Sequence, residues 1–404
     1  MNCRHTNLEQ PRPDGLAIVI ARCRHFLGLA WLLTACAASV VPGASPTHSG
    51  MAEMYSTAPT LYPSVPLTAF VGSPTAASSF PVSPTNIYAA TAAGSMSAIA
   101  SHARPLVYVP SNDQCVVAEI DPKTRKEIAR YNVGKEVQHV VRSRDLSRLY
   151  ANASGANQIV PIDPVTGKPG VPIPVDAPYN LYFSPDGTRA IVMAEWLRRI
   201  DYCDPVTWKL IKSMPVPCRG INHADWSADL AYFIATCEFS GDLLKLDSAS
   251  GEVLGSLGLK AGAMPQDIRL SPDSRKFYVA EMANGGLWTV DGTAFAVTGF
   301  IPTGAGTHGI YPSRDATRLF VSNRGRDATV STSRRSKPGE GSVSVLDPAT
   351  DTVTATWQIP GGGSPDMGGV SADGSELWLS GRYDAVVYVF NTLDDSLGHT
   401  GYYR

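Results

Sequence analysis

The sequence predicts an all-β chain: a seven-bladed β-propeller of four-stranded antiparallel blades. Three observations predict it. Two turn motifs recur at a nearly constant spacing, short β-rich runs lie between them, and the composition is poor in charge but rich in turn formers. The 404 residues leave room for two average domains or one large repeat fold. Only 17% are charged, while Gly numbers 36 and Pro 31. Many turns with few charges suit short strands better than a helical bundle.

The first element is an address. Arg22, Arg24 and His25 precede an apolar run from Phe26 to Leu33, too short to span a bilayer comfortably. The run ends in Leu33-Thr34-Ala35-Cys36, the pattern of a bacterial lipobox, in which a small residue precedes a thiol that accepts a diacylglycerol. Two acyl chains anchor a protein stably. Residues 1–36 are therefore expected to be a signal peptide with Cys36 lipidated. The expected location is the outer face of the cytoplasmic membrane or the cell envelope. An ordinary cleaved signal, giving a secreted protein, is the alternative. Residues 37–85 are rich in Ala, Ser, Thr and Pro and nearly free of charge. They are expected to be a flexible tether, or in part an arm packed on the domain.

Residues 86–404 carry the repeats. An Asp-Pro-x-Thr turn occurs at Asp121, Asp163 and Asp204, recurs in altered form at Asp247, Asp291 and Asp347, and decays at Asn391. The intervals are 42, 41, 43, 44, 56 and 44 residues. A Ser-Pro-Asp-Gly-like turn begins at Ser143, Ser184, Ser227, Ser271, Ser313 and Ser371. In both, Asp bonds its own backbone and Pro or Gly presets φ, as a tight strand connection requires. Runs such as Ala190-Ile-Val-Met193 and Lys276-Phe-Tyr-Val-Ala280 follow. Four such strands fit one repeat, the size of a propeller blade.

These repeats resemble the YVTN family of β-propellers. Phe320-Val-Ser-Asn323 and Tyr150-Ala-Asn152 echo its strand end. Cys218–His223, Ala263–Asp267, His308–Pro312, Pro360–Gly369 and Ser396–Gly401 are similar to segments of secreted actinobacterial, YncE-like members. The resemblance runs from about residue 86 onward. Repeat motifs speak for fold more strongly than for function.

Two features depart from the pattern. The 56-residue interval contains an insertion, roughly Arg324 to Glu340, holding Arg324, Arg326, Arg334, Arg335 and Lys337. It is expected to be a solvated loop, with a basic contact patch as the alternative. The second departure concerns closure. The chain enters at Leu106–Val109 as the second strand of blade one, and Val386–Phe390 runs almost directly into the terminal segment. Blade seven should then lack its outer strand and blade one a proper inner strand. Asn86-Ile-Tyr-Ala89 is a candidate to fill the gap.

Inner strands line a propeller's channel, and their first residues face one mouth. Four or five places before each Ser-x-Asp turn stand His139, Asn180, His223, Asp267, His308 and Asp366. Converging imidazoles and carboxylates hold a polar ligand, bind a metal (here through His139, His223 and His308) or transfer protons. The bland alternative is a solvent network at strand starts. The ends of the second strands add Asn152, Glu195, Glu238, Glu281, Asn323 and Arg382. Of these, Glu195, Glu238, Glu281 and Arg382 are rim candidates. Cys218 and Cys237 flank one hairpin, and an exported protein meets oxidising conditions, so a disulfide is expected there. Cys115 and Cys203, in third strands of different blades, are expected to be buried apolar residues.

No catalytic or nucleotide-binding motif appears, and no cofactor is required by the sequence. The leading expectation is a monomeric binding scaffold at the cell surface, attached to the membrane by its lipid, with an unidentified ligand or protein partner. The resemblance also implies enzyme alternatives: a lactonase-like hydrolase, or an oxidoreductase using a metal or other cofactor. Nucleic-acid binding is attributed to some YncE-like proteins. A net charge of −2 counsels against it here.

Overall fold

A computed structural model describes residues 86–325, 340–359 and 361–394. The signal peptide, the tether to residue 85, most of the insertion and the last ten residues lie outside the described residues. Seven antiparallel sheets succeed one another along the chain, five with four strands and two with three. The only helices among the described residues are single 3₁₀ turns.

The three-stranded sheets are the first and the last. Blade one contains Val107–Ser111, Val116–Asp121 and Lys126–Asn132; blade seven contains Pro365–Val370, Glu376–Gly381 and Val387–Asn391. Among the described residues, blade one thus begins at its second strand and blade seven ends at its third. The two blades meet through apolar side chains. Ile120, Val107 and Val109 of blade one pack with Trp378, Val387 and Val389 of blade seven. Arg125 Nη2 lies 2.9 Å from Glu376 Oε1 across the same seam.

Burial follows position within a blade. The second strands Ala190–Ala194, Phe277–Glu281 and Leu319–Asn323 are buried throughout, whereas the outer strand Leu210–Pro215 is largely exposed. The core is therefore spread between neighbouring blades. Both turn motifs work as their residues predict. Asp163 accepts from Val165 N and the Thr166 hydroxyl, each at 2.9 Å. Ser184 donates to Asp186 at 2.6 Å. The fifth residue of the first turn takes positive φ, as at Trp208 and Gly251. Gly251 does so against the Tyr202 hydroxyl, where a Cβ would collide.

Ahead of blade one, the chain runs as an arm over the mouth where the inner strands end. Ile87 N donates to Pro272 O at 3.0 Å, and the half-buried Tyr88 donates its hydroxyl to Leu270 O at 2.7 Å, both in blade five. Asn86-Ile-Tyr-Ala89 therefore does not fill the gap between blades seven and one. Ile87 instead packs against the apolar cluster of Ile268, Leu270 and Phe277. The arm later joins blade two, where Arg104 N donates to Pro164 O at 2.8 Å.

Candidate functional site

The mouth where the inner strands begin (the upper mouth) gathers the polar residues. Its geometry starts from a defect in strand pairing. The inner strands of blades two, four, five, six and seven each shift register near their start: between Val137 and His139, Ile221 and Ala224, Pro265 and Ile268, Thr307 and Ile310, and Pro365 and Gly368. A bulge re-aims side chains and frees backbone groups. Here His139, His223, Asp267, His308 and Asp366 all sit at or inside a bulge. Asn180 of blade three starts a regular strand instead.

The freed amides are taken up by the preceding blade. Tyr182 Oη accepts Ala224 N at 3.0 Å, Asp267 Oδ2 accepts Ile310 N at 3.0 Å, and Tyr311 Oη accepts Gly368 N at 2.9 Å. Asp267 is consequently part of the ring's internal bonding as well as of the mouth. It also faces Arg269 Nη1 at 3.3 Å.

All six predicted inner-strand residues join one chain of contacts. The His139 and His223 rings lie 5.4 Å apart edge to face, and those of His223 and His308 lie 6.1 Å apart. Asn180 Nδ2 stands 3.3 Å from His223 Nδ1, with Asp267 Oδ1 at 3.9 Å on that same nitrogen. His308 Nδ1 lies 3.0 Å from Asp366 Oδ1. Among the described residues, no three His, Cys, Asp or Glu side chains converge as a metal-binding set.

Two residues that matter here escaped the sequence reading. Arg324 is nearly buried in the mouth, not solvated in a loop. Its Nε donates to Asp366 Oδ1 at 2.8 Å and its Nη2 lies 2.6 Å from His308 Nε2. It follows Asn323 directly, at the second-strand end, and that position was the available signal. Tyr179 precedes Asn180 and meets the rings of His139 and His223 edge to face at 5.4 and 6.3 Å. The remaining basic residues of the insertion, Arg326, Arg334, Arg335 and Lys337, lie outside the described residues.

The rim candidates divide. Glu195 is 3% exposed. Glu238 accepts from Asn222 Nδ2 at 3.2 Å. Arg382, 41% exposed, stands 4.0 Å from Asp366 Oδ2. Glu281 is not part of the mouth's chain of contacts. It accepts from Met264 N, Ala283 N and Trp288 Nε1 at 2.8–3.0 Å and locks its own blade. Asn323 likewise bonds Thr303, Thr307, Ser342 and Ser344.

Burial sets the protonation states. It depresses His139 and His308 to about 4, helped at His139 by His308 and at His308 by Arg324. It also holds His223 well below the ordinary imidazole value. Burial, then the neighbouring Glu238, pushes Glu195 up to about 9. Asp366 goes the other way. Burial alone would raise it, but Arg324, His308 and Arg382 hold it well below the carboxylate range. Buried and without a hydrogen-bond partner are His139 Nε2, His223 Nε2, Glu195 Oε1 and both amide atoms of Asn152, which pairs with His139 across the strands. The hairpin beside Glu238 is closed by a Cys218–Cys237 disulfide, Cα–Cα 6.0 Å. Cys203 is a buried free thiol; Cys115, also buried, is disulfide-bonded, contrary to the expectation of a plain apolar residue.

The family model of the YNCE-like beta-propeller matches residues 65–396. No curated protein matches the chain. Among solved structures, hydrazine synthase of Kuenenia stuttgartiensis is similar at 17% identity and a TM-score of 0.60, over 72% of this chain and 94% of that one. A candidate 6-phosphogluconolactonase from Bacteroides uniformis is 16% identical with a TM-score of 0.54, over 70% and 90%. A functionally unknown protein from Desulfotomaculum acetoxidans is 13% identical with a TM-score of 0.59, over 74% and 96%. At such identities the likeness is one of fold.

Proposed function

The chain belongs to the YncE-like β-propeller family, and from that premise we propose that it is an exported, lipid-anchored binding protein that holds a small polar ligand in its upper mouth. One observation carries the reading: the unpartnered buried atoms of His139, His223, Glu195 and Asn152 share that mouth. A buried polar atom left unpaired costs about 1–3 kcal/mol. Several together, beside the charged groups Arg324, Asp366 and Arg382, suit a guest that supplies the missing hydrogen bonds. Export and anchoring rest on Arg22, Arg24, the apolar run and the Cys36 lipobox.

A small organic ligand is favoured over a metal because, among the described residues, no three His, Cys, Asp or Glu side chains come together as a metal-binding group. Hydrolysis gains no support from a likeness of 16% to a lactonase candidate. The test is native mass spectrometry with elemental analysis of the purified protein, beside a His223→Ala/His308→Ala double variant. A stoichiometric organic adduct lost in the variant is the expected result. Stoichiometric metal lost in the variant would replace this reading with a metal site. An unliganded protein whose melting temperature no small polar compound raises would end it.

A further inference from the structure

We propose that the ligand of the upper mouth is a small zwitterion, its carboxylate held by Arg324 and Arg382 and its ammonium by Glu195 and Glu238. This inference rests on the reading of the mouth as a ligand site and specifies the ligand's class. The mouth has two poles on opposite sides of the ring. Blades six and seven contribute Arg324 and Arg382, both beside the carboxylate of Asp366. Both guanidiniums lie within 4.0 Å of that one carboxylate, and guanidiniums are suited to carboxylates. Blades three and four contribute Glu195 and Glu238, at matching second-strand ends.

The acidic pole asks for a cation. Glu195 Oε1 has no partner although the residue is 3% exposed. Its neighbour Glu238 is held only by side-chain amides, Asn222 Nδ2 at 3.2 Å and Gln266. Burial raises both carboxyls, and an ammonium donating to them would favour their charged forms. The residues that follow, Trp196 and Phe239, are 64% and 42% exposed, with ring centroids 5.9 Å apart. Exposed aromatic faces beside carboxylates attract an ammonium group. Between the poles lie three imidazoles and Tyr179, whose hydroxyl is raised by burial first and then by Glu195 and Glu238, and lowered by Arg382 and Arg324. A simple anion would fill one pole and leave the buried Glu195 oxygen unpaired. A simple cation would leave the guanidiniums with a single carboxylate. A zwitterion answers both.

The test is isothermal titration calorimetry of the full chain with ω-amino carboxylates from glycine to 6-aminohexanoate, each beside the alkanoate and alkylammonium of equal length. One length is expected to bind about 10-fold more tightly than either matched single ion, the worth of one charge-assisted hydrogen bond. Glu195→Gln should erase the advantage over the alkanoate, and Arg382→Gln the advantage over the alkylammonium. Glu238→Gln repeats the first comparison if the Glu195 variant fails to fold. Alkanoates binding as tightly as the zwitterions at every length would overturn this inference and leave a ligand-binding mouth. Failure of every probe, together with a protein that carries no copurified adduct, would overturn both.

Discussion

A carboxyl group placed where its charge is disfavoured, and imidazoles placed where theirs is, give opposite pH signatures. Glu195 has a folded value near 9, far above its ordinary one, with burial the main cause. A raised carboxyl adds stability below the unfolded value, and that stability drains away as pH climbs toward 9. His139 and His308 are depressed to about 4, again mainly by burial. The unfolded chain protonates them near pH 6.5 while the fold does not, so stability is full above 6.5 and falls as pH drops toward 4. Wild type should lose stability on both sides of a maximum. Glu195→Gln should flatten the alkaline limb by up to about 1.4 kcal/mol per pH unit, and His139→Gln the acid limb by a similar slope. Urea midpoints between pH 4 and 9 check this. Parallel profiles for wild type and both variants would show that neither group is as desolvated as its surroundings require.

The strand is the scale at which sequence and structure can be compared. The blades were legible because a turn that bonds its own Asp must recur wherever two strands reverse. That spacing also located the first residues of the inner strands, and those residues do share one mouth. Bulges were not legible, since nothing in His223 or Asp366 marks an extra residue in the pairing. Strand ends were ambiguous for the same reason. Glu195 and Glu281 hold equivalent places, yet one is left unpaired and the other is bound by two amides and an indole. Arg324 was hidden because it opens a basic insertion, and charge runs ordinarily read as solvent-facing. The hairpin of Ile221–Trp226 and Tyr232–Cys237 adds a covalent tie, bridging residues 19 apart just before Glu238. Closing a loop of that length is worth about 3 kcal/mol. A Cys218→Ser/Cys237→Ser variant should therefore lose about that much in a guanidinium titration, with weaker ligand binding because the turn bearing Glu238 and Phe239 is released. An unchanged midpoint would mean that packing alone holds the hairpin.

Across the whole molecule, the weakest joint is where the ring meets itself. Every other pair of neighbouring blades is joined directly by the chain, but blades seven and one are first and last. Among the described residues, no strand of one blade is contributed by the other end of the chain. What holds the joint is burial of Ile120, Trp378, Val387 and Val389 against Val107 and Val109. The Arg125–Glu376 pair adds little, because both partners are about one-third exposed and surface pairs are worth about 0–1 kcal/mol. Blade one's innermost strand, Val107–Ser111, is only half-buried along its length, unlike Phe277–Glu281. Local opening should therefore begin at this seam. Hydrogen exchange is expected to reach Val107–Ser111 and Val387–Asn391 before the strands of blades four and five. Trp378→Ala, which removes the largest side chain at the joint, should cost about 3–5 kcal/mol and speed exchange there first. Uniform exchange around the ring, or a Trp378→Ala variant that loosens all blades equally, would mean that the closure is as cooperative as the rest. The seam would then have to be held by more than the apolar contacts between blades seven and one.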